Sequence, residues 1–263
     1  MSKIAVLTDS CASIPEALLK ELNIHMVAYY IHRGQEVLRD LVTIQRDEFV
    51  RFLETAKKLP TTASPGPGDY LQAYESLVKE KGADQILSIH MTSSASGAYQ
   101  AAKVAQSMAQ EQMPDVRIEV IDTRNAAMCH GWMVIEAGRA ALAGVSLEAI
   151  LERIRKMIPI SQFILTADTL KYLYMGGRIG LAKSLLGTLL NIKPLIGMKD
   201  GVIVPLGQAR SRSRAYQMMV DSVRGLPSED VLCSELEQAG FVEVNSRAGL
   251  FGAVRLLTAR RPA

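Results

Sequence analysis

The chain has 263 residues, 48% of them hydrophobic, and a formal net charge of only +3. That is material for two packed α/β units or one large one, and it lacks the dense basic stripe of a nucleic-acid binder. No run reaches the roughly 18–20 apolar residues that span a bilayer, and the opening apolar run is too short for a signal peptide. Cys11, Cys129 and Cys233 are scattered with no C-x-x-C pair, and His25, His32, His90 and His130 show no metal spacing. A cytoplasmic protein without disulfides or a structural metal is expected.

Ile4–Leu7 reads as a buried strand running into the polar turn Thr8-Asp9-Ser10. Ser13 before Pro15-Glu16 predicts a capped helix to about Leu22, with Glu16 in the capping-box position. His25–Ile31 reads as one strand and Asp47–Lys58 as a helix with Phe49, Val50, Leu53 and Ala56 on one side. Pro60-Thr61-Thr62-Ala63-Ser64-Pro65-Gly66-Pro67-Gly68 excludes helix and central strand. Asp69–Lys81 is the next helix and Gln85–His90 the next strand. The loop Met91–Gly97 then leads into an Ala-rich helix over Ala98–Gln110. Val116–Ile121 is a strand ending in Asp122-Thr123, followed by helices over Ala126–Ala143 and Ser146–Ile158.

This strand–loop–helix alternation predicts a mostly parallel sheet flanked by helices, with the binding crevice at the strand C-termini. A boundary near Pro159 divides an N-terminal α/β domain, 1–160, from a smaller one, 161–263. In the second domain Phe163–Leu165 is a strand, Leu170–Tyr174 a helical turn and Leu181–Leu190 an apolar helix. Lys199-Asp200-Gly201 signals a hairpin before the returning strand Val202–Pro205, and Arg210–Arg224 reads as a basic amphipathic helix.

Hydroxyls and amides at a helix N-terminus, as in Ser93-Ser94-Ala95-Ser96-Gly97-Ala98-Tyr99-Gln100, suit an anion; a plain N-cap with close helix packing is the other reading. Too few glycines and no Lys exclude a P-loop. Thr61-Thr62-Ala63-Ser64 is either a second hydroxyl loop or an ordinary turn. Arg178, after Gly176-Gly177, offers a fork to a carboxylate or is a surface residue. Asp9 is a candidate catalytic group or a turn cap. Cys129 and His130 are helical neighbours that do not face each other, and Ser96-Gly97 is no nucleophile elbow. The many Met residues suit an adaptable cavity as well as a core.

Taken in order, these pieces resemble the DegV family of bacterial fatty-acid-binding proteins. The matching residues are Leu7-Thr8-Asp9-Ser10; Pro60-Thr61-Thr62-Ala63-Ser64-Pro65; Ser93 through Gln100; Asp122-Thr123; Tyr172-Leu173 through Gly176-Gly177-Arg178-Ile179; Leu190-Asn191-Ile192-Lys193-Pro194; Asp200-Gly201; and Arg210 with Arg214-Ala215. The resemblance implies a two-domain α/β fold and a non-enzymatic carrier of one long-chain fatty acid, with no cofactor. It implies that Thr62, Ser93, Ser96, Gly97 and Arg178 hold the carboxylate and that Asp9, Ser10 and Thr61 support the pocket. It also implies a partner, a separate fatty-acid kinase that makes the acyl phosphate, docked through Arg210. Ala63 and Ala98 stand where the family has Ser and Thr, and the family's C-terminal His-x-Gly-Pro-Gly element is missing. The alternatives are an enzyme acting on a small phosphorylated or hydroxylated substrate through Asp9 and the Ser loops, and a regulatory lipid sensor.

Overall fold

The computed structural model describes residues 3–187, 192–224, 242–248 and 255–260. Two compact units divide the chain. The first takes in 1–163, 173–181 and 197–204; the second takes in 164–172, 182–196 and 205–263.

In chain order the elements are β1 (Ile4–Asp9), α1 (Glu16–Glu21), β2 (Ile24–Val27), β3 (Tyr30–Arg33), β4 (Glu36–Arg39), α2 (Arg46–Thr55), β5 (Thr61–Ala63), α3 (Pro67–Lys81), β6 (Gln85–His90), α4 (Ala98–Gln112), β7 (Arg117–Asp122), α5 (Ala127–Leu142) and α6 (Leu147–Ile160). These are followed by β8 (Ile164–Thr166), α7 (Lys171–Met175), β9 (Lys193–Lys199), β10 (Val202–Ala209), α8 (Arg212–Arg224), β11 (Val242–Ala248) and β12 (Arg255–Arg260).

The core of the first unit is a parallel sheet in the order β2-β1-β6-β7. Alternation along each strand sends side chains to opposite faces. Ala5, Leu7, Ile86, Ile118 and Val120 pack with Tyr70, Tyr74 and Leu77 of α3 and with Ala102, Ala105 and Ala109 of α4. Val6, Leu87, Ile89 and Ile121 pack on the other face with Met133, Val134 and Ala137 of α5 and with Ile150, Leu151 and Ile154 of α6. Each fully buried Leu or Ile contributes about 1.5–3 kcal/mol. The run of small residues along α4 lets that helix lie close on the sheet. Register pairs Thr8 with Ile89 and His90 with Asp122, so the strands finish level and their three following loops share one edge.

Several expectations change. His25–Ile31 is not one strand. The chain leaves the parallel sheet after Val27, because the Tyr29 amide donates to Ser10 Oγ at 3.1 Å and the Tyr29 carbonyl accepts from Asp40 N. It then enters a separate antiparallel sheet, β4-β3-β5, in which Thr62 lies opposite Ile31. Ser13 is not a helix cap. It takes a left-handed backbone (φ 57°) to close a 3-10 turn over Ser10–Ala12, and α1 starts after Pro15 with no side-chain cap. Finally, α3 starts at Pro67, two residues early, since proline suits the first helical position and the Gly66 amide donates to Asp69 Oδ2 at 2.8 Å.

The expected hairpin is present. Asp200 (φ 50°) and Gly201 (φ 81°) both take positive φ, as a two-residue turn between right-twisted strands requires. In the second unit Asp168 joins Lys193 (2.8 Å) and Arg212, fixing the start of α8. Of the expected helix over Leu181–Leu190, a 3-10 segment spans Gly180–Leu185, and 188–190 lie outside the described residues. Most of the stretch after Arg224, where the family's His-x-Gly-Pro-Gly element is missing from the sequence, lies outside the described residues too. Among the described residues no helix is long and apolar enough to cross a membrane.

Candidate functional site

Parallel strands present their C-terminal loops side by side, where ligands of such sheets bind. The loop after β1 is turned inward. Asp9 and Ser10 are buried, and Asp9 Oδ1 accepts from Cys11 N at 3.0 Å, so the capping reading of this Asp is the one realised. Its Oδ2 accepts from His90 Nδ1 (3.2 Å) and Met91 N (3.4 Å). With the Nδ1 proton aimed at Asp9, His90 Nε2 accepts from Ser88 Oγ at 2.7 Å, and Ser88 Oγ accepts from Tyr74 OH at 3.0 Å. This is the order of a Ser-His-Asp relay, but Ser88, His90 and Asp9 all have zero solvent exposure. The network braces two strand ends against a helix.

Burial pulls the Asp9 carboxyl upward, but the hydrogen bond from His90, the charge of His130 and the Met91 amide outweigh it. The net shift is downward. The pull of His130 acts only through its protonated form. Burial disfavours that form and lowers the His130 pKa, so the hydrogen bonds are the steadier cause. His130 Nε2 lies 3.1 Å from both the Ile89 carbonyl and Thr8 Oγ1. Among the described residues the thiols of Cys11 and Cys129 are poor nucleophiles: burial raises Cys129 to about 11 and, with Asp9 nearby, raises Cys11 further.

The loop after β6 is turned outward. Ser93, Ser94 and Gly97 are exposed. Asp122 Oδ2 accepts from Ser93 Oγ at 2.6 Å and Ser93 N at 3.3 Å. Ser96 Oγ accepts from Ala98 N at 3.2 Å and is hydrogen-bonded to Tyr29 OH. Gly97 is the N-cap of α4, and a Cβ there would stand 3.3 Å from Ser64 Oγ. Arg178 Nε donates to the Ala95 carbonyl at 3.2 Å and Nη1 to the Gly176 carbonyl at 2.5 Å.

The first unit thus brings Ser93, Ser96, Gly97 and Arg178 into one cluster, with Ser64, just beyond β5, at its edge. Thr61 and Thr62 are exposed on β5. Arg210 is an exposed residue of the second unit just past β10, ahead of the helix it was expected to open, since α8 starts at Arg212. Sequence reasoning missed Tyr29 and Thr92. Tyr29 stood inside an assumed strand, and Thr92 was one hydroxyl among several.

Close by, an open cavity of about 440 Å³ is lined by Cys11, Phe49, Val50, Met91, Ala126 and Ala127 with Ser10, Ser13, Asp40 and Arg46. Its size falls within the range of small-molecule pockets. Among the described residues no cluster of three or more His, Cys, Asp or Glu side chains could hold a metal ion.

A parallel sheet with covered faces defines an α/β protein, and its strand ends carry a loop cluster of hydroxyls, amides and a guanidinium. Its family follows from comparison with known proteins. The model of the DegV family, described as an uncharacterised protein family, matches residues 3–253, and the chain belongs to that family. A DegV domain-containing protein of Caldanaerobacter subterraneus subsp. tengcongensis is 35% identical over 224 residues, covering 85% of this chain and 78% of that protein. A solved fatty-acid-binding DegV family protein from Thermus thermophilus is 33% identical with a TM-score of 0.76, over 84% of this chain and 77% of that one. A stearic-acid-binding protein from Eubacterium ventriosum is 27% identical with a TM-score of 0.77, over 92% of this chain and 80% of that one.

Proposed function

We propose that this chain binds one long-chain fatty acid as a cytoplasmic carrier, without catalysing a reaction, and presents the carboxylate to a separate ATP-dependent fatty-acid kinase. One observation carries the reading: the hydroxyl loop of Ser93–Gly97 and the Arg178 guanidinium meet through the Ala95 carbonyl. A carboxylate leaving water needs hydrogen-bond donors and a positive charge, and this cluster supplies both. Thr62 and Thr61 extend it from β5, while Asp9 and Ser10 support it from beneath. Burying the alkyl tail at about 0.8 kcal/mol per methylene supplies most of the affinity. The fatty acids bound by the Thermus and Eubacterium relatives agree with this ligand class. The closed Ser88–His90–Asp9 network and the raised thiols argue against the enzyme alternative.

Native mass spectrometry of the purified chain is expected to show a co-purifying fatty acid, and added palmitate to raise the thermal midpoint of delipidated protein. A ligand-free protein with no palmitate-dependent shift refutes the reading. In the same preparation, Arg210→Ala is expected to keep the lipid and to lower acyl phosphate formation by the kinase. Unimpaired phosphorylation removes Arg210 from the docking surface.

A further inference from the structure

Residues 197–204, the tip of the β9–β10 hairpin, belong to the same compact unit as the Ser93–Gly97 loop and the Arg178 segment 173–181. The tip meets both. Thr92, which opens the Ser loop, is completely buried. Its hydroxyl donates to the Gly201 carbonyl at 2.8 Å and accepts from Ser94 N at 3.2 Å. Its amide donates to the Asn125 carbonyl at 2.9 Å, and its carbonyl accepts from Ala95 N at 3.2 Å. Both its backbone groups and its side chain are therefore engaged in setting the course of the loop.

The approach is close enough to demand glycine. A Cβ on Gly201 would stand 2.5 Å from Thr92 Oγ1 and 3.3 Å from Ser94 Oγ, at a φ of +81°. A second contact of the same kind involves the other half of the site. A Cβ on Gly180, two residues after Arg178, would stand 2.5 Å from the carbonyl oxygen of Ile203 on β10. Arg178 Nε then closes the triangle on the Ala95 carbonyl.

We infer that the β9–β10 hairpin tip is the positioning element of the carboxylate site: it sets the Ser93–Gly97 loop through Thr92 and Gly201, and the Arg178 segment through Gly180 and Ile203. Neither Thr92 nor Gly201 need touch the ligand. They fix the spacing between the hydroxyl loop and the guanidinium, and so govern how well a charged head group is preferred over a neutral one. The inference rests on the fatty-acid reading above.

The test measures palmitate and hexadecanol binding to the delipidated full chain by fluorescence displacement. The two ligands share a tail and differ in the head group. Thr92→Val keeps the shape and removes the hydroxyl. It is expected to weaken palmitate about tenfold while hexadecanol stays within about twofold, the loss of one well-placed hydrogen bond. Thr92→Ser restores the hydroxyl and is expected to restore the palmitate preference. Gly201→Ala keeps every side-chain donor and is expected to reduce that preference as well. Equal weakening of both ligands in Thr92→Val, or an unchanged palmitate-to-hexadecanol ratio in both Thr92→Val and Gly201→Ala, overturns the inference. Wild-type protein is measured first. If it fails to bind palmitate, the fatty-acid reading fails and the inference with it; if it binds and the variants keep its preference, the positioning role alone fails.

Discussion

The loops after β1 and β6 are built from similar residues and put to opposite use. Both follow central strands of one sheet, and both carry serines. Yet Asp9 and Ser10 are sealed inside, with the carboxylate and hydroxyl bonded to backbone amides and His90, while Ser93, Ser94 and Gly97 face solvent. The difference lies in what packs above each loop. The chain turns back at Tyr29 to cover the first loop, whereas the second is steadied from its flanks by Asp122, Tyr29 and Gly201. A polar loop at a strand end therefore becomes an inward brace or an open, solvent-facing edge according to whether its hydrogen-bonding groups are consumed inward.

The largest effect expected from this contrast is at Asp9. Asp9→Asn replaces an anion that accepts from His90, Cys11 and Met91 with a group that accepts on one oxygen only. Hydrogen bonds to a buried charged group are worth about 1.5–3 kcal/mol, so urea unfolding is expected to show a loss of at least that size. A loss below about 1 kcal/mol, the scale of an ordinary exposed hydrogen bond, would mean the inward loop is no brace.

A pH profile sharpens the same contrast. Burial holds His130 neutral in the folded state and lowers its pKa, and His130 Nδ1 faces no acceptor among the described residues. Unfolded His titrates near about 6.5. A depressed folded value means this stability is complete above about 6.5. It is lost as pH falls through that value, because only the unfolded state takes up the proton; the slope reaches about 1.4 kcal/mol per pH unit. Asp9, also lowered when folded, adds a separate loss at more acid pH, as pH falls below its unfolded value of about 3.9 toward the folded one. His130→Gln is expected to flatten the first decline and leave the second. Half-buried His25, lowered chiefly by burial, adds a slope of the same sign that His130→Gln leaves in place. A mutant profile identical to wild type would remove His130 from the brace.

Much of this was legible in the sequence. Alternating apolar runs and helices disclose the parallel sheet, and Asp200-Gly201 discloses the turn, because both depend on local chemistry. The β3–β4–β5 sheet was not legible. Its strands are three or four residues long, and Glu36–Arg39 has only Leu38 buried, so no periodicity could build up. Ser13 misled because a hydroxyl before Pro15-Glu16 has the look of a cap, while the backbone there is committed to closing the preceding turn. For the site, the Ser93–Gly97 run and Arg178 could be picked out as candidates by residue type. The roles of Tyr29, Thr92 and Gly201 could not, since each acts across a separation of dozens of residues that only the fold brings together.

The smallest stability effect is expected in the outward loop, and there it separates binding from bracing. Ser93→Ala removes the hydroxyl that donates to Asp122 Oδ2 at an exposed position, where water replaces the lost partner. Surface changes of this kind stay within about 0.5 kcal/mol. Palmitate affinity is nevertheless expected to fall several-fold, because the hydroxyl either meets the carboxylate directly or sets the curvature of the loop that does. Isothermal titration alongside urea unfolding reads both quantities on one preparation. A stability loss rivalling that of Asp9→Asn, with affinity unchanged, would show that the two loops do the same work and that the distinction between brace and surface is wrong.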